Sequence, residues 1–196
     1  MKFIKQITRI IFLFSLFILP SSCLGLSLSI VLNDSGSGYI DLEYRFSKSL
    51  DSLGRLDGNE RWLTIPVGMA DFERTMERLP GLKLLSFSES EDERDKITNA
   101  RIEYDSILAL LTFLDSHGSR TSFSGDSGSG SLKLILGSDS ETIANNPGFE
   151  RLLAEVFNPY SVNISMRYPN GRTESHSFSL NEILSNKDEV IVEFNW

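Results

Sequence analysis

Few side chains in this 196-residue chain could do chemistry, and they are widely spaced. There is one cysteine, Cys23, and there are two histidines, His117 and His176. One serine, Ser127, stands in a tight turn, Gly125-Asp126-Ser127-Gly128. A serine hydroxyl becomes a nucleophile when an imidazole takes its proton and an acid orients that imidazole. His117 lies beside Gly118 at what reads as a helix end, where a partial positive charge suits the helix dipole. His176 sits in a polar strand and is expected to face solvent. No catalytic residue is assigned on this basis. Two imidazoles and one thiol cannot fill a zinc site without carboxylates. The acidic run Glu89, Glu91, Asp92, Glu93 and Asp95 lacks the spacing and central glycine of a calcium loop, and reads as a solvated tip. No metal ligand and no cofactor site is expected.

The Gly-Asp-Ser-Gly stretch resembles the surroundings of the nucleophile in trypsin-like serine proteases. The same composition occurs earlier, as Asp34-Ser35-Gly36-Ser37-Gly38 against Asp126-Ser127-Gly128-Ser129-Gly130. Each leads into a strand, which points to turning as the shared role.

Cys23 is better placed for chemistry. Lys2, Lys5 and Arg9 precede an uncharged apolar run, Ile10 to Leu19, and Pro20-Ser21-Ser22 follows. These are the three parts of an export signal. As a helix the apolar run would span about 15 Å at ~1.5 Å per residue. That is half of the ~30 Å needed to cross a bilayer core. Leu19-Pro20-Ser21-Ser22-Cys23 resembles the lipobox of bacterial lipoproteins, departing from it at Pro20, where leucine is usual. The resemblance implies cleavage before Cys23 and acylation of its sulfur. A secreted chain with one cysteine cannot close an internal disulfide, so another role is needed for it. Two or more acyl chains, at ~0.8 kcal/mol per buried CH₂, give stable attachment. The expected organisation is a signal peptide over 1–22 and one extracytoplasmic domain over 23–196, with 23–25 as its anchor region.

Three of the 19 basic residues lie in the signal and no acidic one does, so residues 23–196 hold 16 basic and 27 acidic residues, a formal charge of −11. Nucleic acid is excluded as an expected partner, because displacing its counterions needs basic patches. Adhesion to anionic headgroups by charge alone is disfavoured too. The length suffices to bury a core without disulfides.

The elements that must position these residues follow from periodicity. Leu26 to Leu32 and Tyr39 to Phe46 read as a hairpin, the second strand alternating Ile40, Leu42, Tyr44 and Phe46 with Asp41, Glu43 and Arg45. Residues 47–61 read as a long polar loop. A helix is expected over 69–79, with Phe72, Met76 and Leu79 on one side and Pro80-Gly81 as its stop. Strands follow over 82–87 and 97–104. A second helix, 106–116, carries Ile107, Leu108, Leu110, Leu111, Phe113 and Leu114 around most of its circumference, and is expected to be the most buried. Strands come next near 119–123 and 131–136. Asn146-Pro147 opens a third helix with a stripe of Phe149, Leu152, Leu153, Val156 and Phe157. Tyr160 to Tyr168 alternates, Asn170-Gly171 marks a hairpin, and strands 172–178 and 190–196 complete the set. Helix-then-hairpin thus occurs three times after a leading hairpin. The expected fold class is α+β, with antiparallel hairpins forming a curved or split sheet and about three helices packed on one face. The final Phe194-Asn195-Trp196 also resembles the closing signal of outer-membrane β-barrels, but helices and polar strands speak against a barrel.

Residues 23–196 are similar to the LppM-type domain of bacterial lipoproteins. The features shared are the signal ending at Cys23, the strand directly after it, the turn Asn33 to Gly38 leading into Tyr39–Phe46, the Pro80-Gly81 turn before a strand, and a closing strand ending in Trp196. The resemblance implies an extracytoplasmic α+β domain associated with envelope lipids, and it brings no catalytic residues. The function expected is that of a non-enzymatic, lipid-anchored protein of the cell membrane or outer membrane that binds a lipophilic ligand or another envelope component. The alternatives are an interaction or assembly subunit of the envelope, and a hydrolase with an unfamiliar site.

Overall fold

The computed structural model describes residues 24–48, 68–93, 95–115, 118–126, 128–136, 160–185 and 189–196. The expected signal over 1–22, Cys23, His117, Ser127, the expected helix over 146–157 and all but Ser47 and Lys48 of the polar loop expected over 47–61 lie outside the described residues; Ser47 ends a strand.

Among the described residues, nine strands form two sheets. We number them β1 Leu24–Leu32, β2 Gly38–Ser47, β3 Leu82–Glu91, β4 Asp95–Tyr104, β5 Thr121–Gly125, β6 Gly130–Leu136, β7 Tyr160–Arg167, β8 Thr173–Ser179 and β9 Val190–Asn195. The large sheet runs β3-β4-β2-β1-β7-β8, and the small one β5-β6-β9. The split sheet and the four hairpins β1–β2, β3–β4, β5–β6 and β7–β8 match the sequence pattern. The large sheet is not wholly antiparallel, however, because β1 and β7 pair in parallel, Leu24 against Tyr160 through Val31 against Arg167. Periodicity reports which face a residue occupies, but not which distant strand lies beside it.

Among the described residues, two helices of two turns or more accompany the sheets: α1, Met69–Arg78, and α2, Ile107–Leu114. A six-residue segment, α3, Leu180–Ser185, adds one further turn. Ser106 caps α2 through its hydroxyl, which accepts from Ala109 N at 3.3 Å.

The core lies between the inner face of the large sheet and the small sheet. Register aligns its rows across strands: Ala100, Leu42, Leu28 and Ile164 form one, Ile102, Ile40, Ile30 and Met166 the next. All eight side chains are buried. The small sheet closes over them with Leu132, Leu134, Val192 and Phe194. Helix α1 enters through one side chain, Phe72, which meets Tyr44 at 6.5 Å and Phe87 at 5.4 Å between ring centroids. Helix α2 corrects the expectation made for it. Only Ala109 and Leu110 are buried, and Leu108 is 73% exposed. The helix packs against β4 and β5 along one side, so its apolar circumference exceeds the surface available to cover it.

The hairpin turns share a chemistry that differs from the two-residue Asn-Gly form. Tyr168 N bonds Arg172 O at 2.8 Å and Gly171 N bonds Tyr168 O at 2.9 Å. Only Gly171 in that loop has positive φ, at +83°. This is a three-residue loop with glycine in the left-handed position. Asn33 to Ser37 repeats it, with Gly36 at +79° and the same two bonds.

The charged stretch after Phe87 is mostly strand and not loop. Strands β3 and β4 stay paired out to Glu91 against Lys96, with a register shift between Leu84 and Ser86. The extra residue at this bulge, Leu85, is exposed.

Candidate functional site

The inner corner of the β7–β8 hairpin brings Tyr168, Arg172, Glu174 and His176 together beside the core. On β8, Glu174 and His176 fall opposite Met166 and Ile164, so they end two rows that are otherwise apolar. His176 is therefore half-buried, at 32% exposure, and does not face solvent as its strand's polarity suggested. Its ring lies edge-on to Phe194 at 5.2 Å and parallel to Phe178 at 6.4 Å. Its Nε2 sits 3.2 Å from Glu174 Oε1. The other oxygen, Oε2, accepts from the Tyr168 hydroxyl at 2.6 Å, with Arg172 Nη2 at 3.6 Å. The guanidinium of Arg172 lies 4.6 Å above the Tyr168 ring, which stacks on Trp196 at 5.9 Å, and Arg172 also donates to Asn195 O.

Electrostatics follow from this wiring. The Tyr168 hydroxyl, more than any other neighbour, holds the Glu174 carboxyl below its ordinary range, with His176 and Arg172 adding to it. Burial pushes the Tyr168 phenol up to about 12, and the adjacent carboxylate reinforces that shift. Glu174 thus has both oxygens engaged by donors. The imidazole is held by one carboxylate and two aromatic rings, and the knot joins the edge of the large sheet to the end of the chain.

Asp126 and Gly128 of the Gly-Asp-Ser-Gly stretch lie between β5 and β6. Asp126 accepts from Gly128 N at 2.8 Å and Ser129 N at 2.9 Å, so its carboxylate folds the turn. Its carbonyl accepts from Trp196 Nε1 at 3.2 Å.

At the opposite end of the large sheet, the acidic tip is laced by cations. Lys96 pairs with Glu89 at 3.2 Å, Lys48 with Glu91 at 3.2 Å, and Arg45 with Asp92 at 3.9 Å. No group of three or more metal-ligating side chains is found among the described residues. Between Leu32, Leu110, Phe123, Leu132, Met166 and Trp196 a cavity of about 10 Å³ remains, room for about one water. No helix among the described residues is long and apolar enough to cross a membrane.

The outer face of the large sheet is polar along β1, β7 and β8. Register sets Ser27, Asn163 and Ser177 in one row, and Ser29, Ser165 and Ser175 in the next. Ser177 Oγ donates to Asn163 Oδ1 at 2.7 Å, and Asn163 donates to Ser161 Oγ at 3.1 Å. The rows continue into Asp41, which binds Arg101 at 2.5 and 2.8 Å, with that guanidinium 4.8 Å above Tyr39. The sequence carried a signal for this face: serine or asparagine at alternate positions of three strands, paired by register.

No family model and no curated protein matches the chain. Among solved structures, the chain resembles the folded domain of LppM from Mycobacterium tuberculosis, with a TM-score of 0.48 and 11% identity. The match covers 88% of this chain and 90% of that one.

Proposed function

We propose that the chain is an exported domain, cleaved before Cys23, acylated there, and working at the cell envelope by binding an envelope component at its surface. The observation that carries this reading is the sequence up to Cys23: basic residues, an apolar run, then Pro20-Ser21-Ser22. Strand β1 begins at Leu24, the residue after Cys23. Gly25 already lies in register with Ser161, so close that a Cβ would sit 1.4 Å from the Ser161 carbonyl oxygen. In sequence, the lipobox-like segment directly precedes a strand that is paired at Leu24 and Gly25.

Surface binding is favoured over an enclosed lipophilic ligand. An acyl chain needs a cavity of hundreds of Å³, and the one between the sheets holds about one water. The polar outer face and the exposed side of α2 instead offer contact area.

Intact-mass measurement of protein purified from membranes tests the reading. A mass equal to residues 23–196 plus acyl groups is expected, with Cys23→Ser released from the membrane fraction. An unmodified full-length mass, or a Cys23→Ser protein that stays membrane-bound, overturns it.

A further inference from the structure

Strand ends in the large sheet sort into two groups. The start of β1 lies beside the start of β7, and by register beside the ends of β2 and β8, through Tyr44 against Leu26 and Ser161 against Ser179. The β3–β4 tip joins the same end, because Ser47 pairs with Asp95 and Glu91 with Lys96. Segment α3 follows directly from β8 there. The turns at 33–37 and 169–171, and the Gly81 turn that bonds Asp105, lie at the other end. Nine residues of β1 separate the two ends, about 30 Å at ~3.3 Å per residue.

We infer that the end of the sheet where β1 begins is the surface this domain lays against a lipid bilayer. The inference rests on the proposed acylation of Cys23 and deepens it. With pairing established at Leu24 and Gly25, no linker separates the acylated residue from the sheet, so the domain cannot swing on a tether. Its first strand holds it end-on, with the β3–β4 tip and α3 at the headgroups and the turns at 33–37 and 169–171 about 30 Å out. Charge at the tip permits this contact. Lys96, Lys48 and Arg45 pair with Glu89, Glu91 and Asp92, so three of its acids meet the headgroups already neutralised. Among the described residues, the tip cations Lys96, Lys48 and Arg45 are thus engaged by carboxylates, so the acyl chains supply the attachment.

The test uses the full acylated chain in phosphatidylcholine vesicles carrying a headgroup-attached quencher. Acylation consumes the Cys23 thiol, so an introduced cysteine is the sole site for a fluorophore. Ser90→Cys and Glu182→Cys report on the anchor end, Ser35→Cys and Asn170→Cys on the far end, and all four positions are exposed. Quenching several-fold stronger at Ser90→Cys and Glu182→Cys is expected, unchanged when part of the phosphatidylcholine is replaced by phosphatidylglycerol. Equal quenching at both ends, or stronger quenching at the far end, in protein whose mass shows acylation overturns this orientation alone. Protein recovered unacylated and free of vesicles overturns the anchor and the orientation together.

Discussion

The Tyr168 hydroxyl donates a 2.6 Å hydrogen bond to Glu174 Oε2, across the turn end of the β7–β8 hairpin. This bond is the largest cause of the lowered Glu174 pKa. A carboxyl whose folded pKa lies below its unfolded value stabilises the fold above the unfolded value, and that contribution is lost as pH falls through the folded one. Tyr168→Phe is therefore expected to lose about 1 kcal/mol at neutral pH, the low end for a hydrogen bond to a half-exposed charge. The gap to the parent should shrink in acid, once Glu174 is protonated in both. Urea unfolding from neutral to acid pH measures it. On the alkaline side, a phenol held at about 12 keeps its contribution below pH ~10 and loses it as pH rises toward 12.

Phe72 is the one buried side chain of α1. Phe72→Ala is expected to cost about 3–5 kcal/mol. Because α1 makes its contacts with β3, limited proteolysis should cut within 68–79 before the sheets unfold. Cleavage elsewhere first would show that α1 is held by other means.

Leu108 and Leu110 are two residues apart on α2 and should respond oppositely. Leu110→Ala empties a buried position and is expected to cost about 2–5 kcal/mol. Leu108→Gln should change stability by less than about 0.5 kcal/mol. Chemical unfolding of both variants checks the pair. A large loss at Leu108 would mean that this side of the helix is covered.

Gly25 and Gly171 separate two reasons for having glycine. At Gly25 an added Cβ meets the Ser161 backbone at 1.4 Å, so Gly25→Ala must displace β1 from β7. The expected loss is about 3 kcal/mol or more, at or above the upper range for overpacking. At Gly171 no atom lies within 4 Å, and the cost of alanine comes from φ at +83° alone, about 1–2 kcal/mol. Thermal unfolding followed by circular dichroism ranks the two.

Local patterns carried most of the elements. Alternation in Tyr39–Phe46 and Tyr160–Tyr168, with glycine between runs, marked the hairpins, since each turn needs a residue that tolerates positive φ. Phe72 and Met76 marked the inner side of α1. What stayed hidden depends on distant partners. The parallel β1–β7 pair, β9 lying beside β6, and the half-exposed α2 are set by which surfaces remain to be covered. His176 was expected to face solvent because β8 is polar on both faces, so no hydrophobic pattern tells inner from outer for it or for Glu174. Phe178, in step with them, was the one residue that disclosed the side.

The parallel pairing of β1 with β7 also sets a timetable. Strand β1 leaves the ribosome first and can fold onto β2 at once. Its other edge stays open until β7, most of the chain later, has been made. A centrally placed strand with a late partner slows folding and leaves backbone donors and acceptors exposed to other chains.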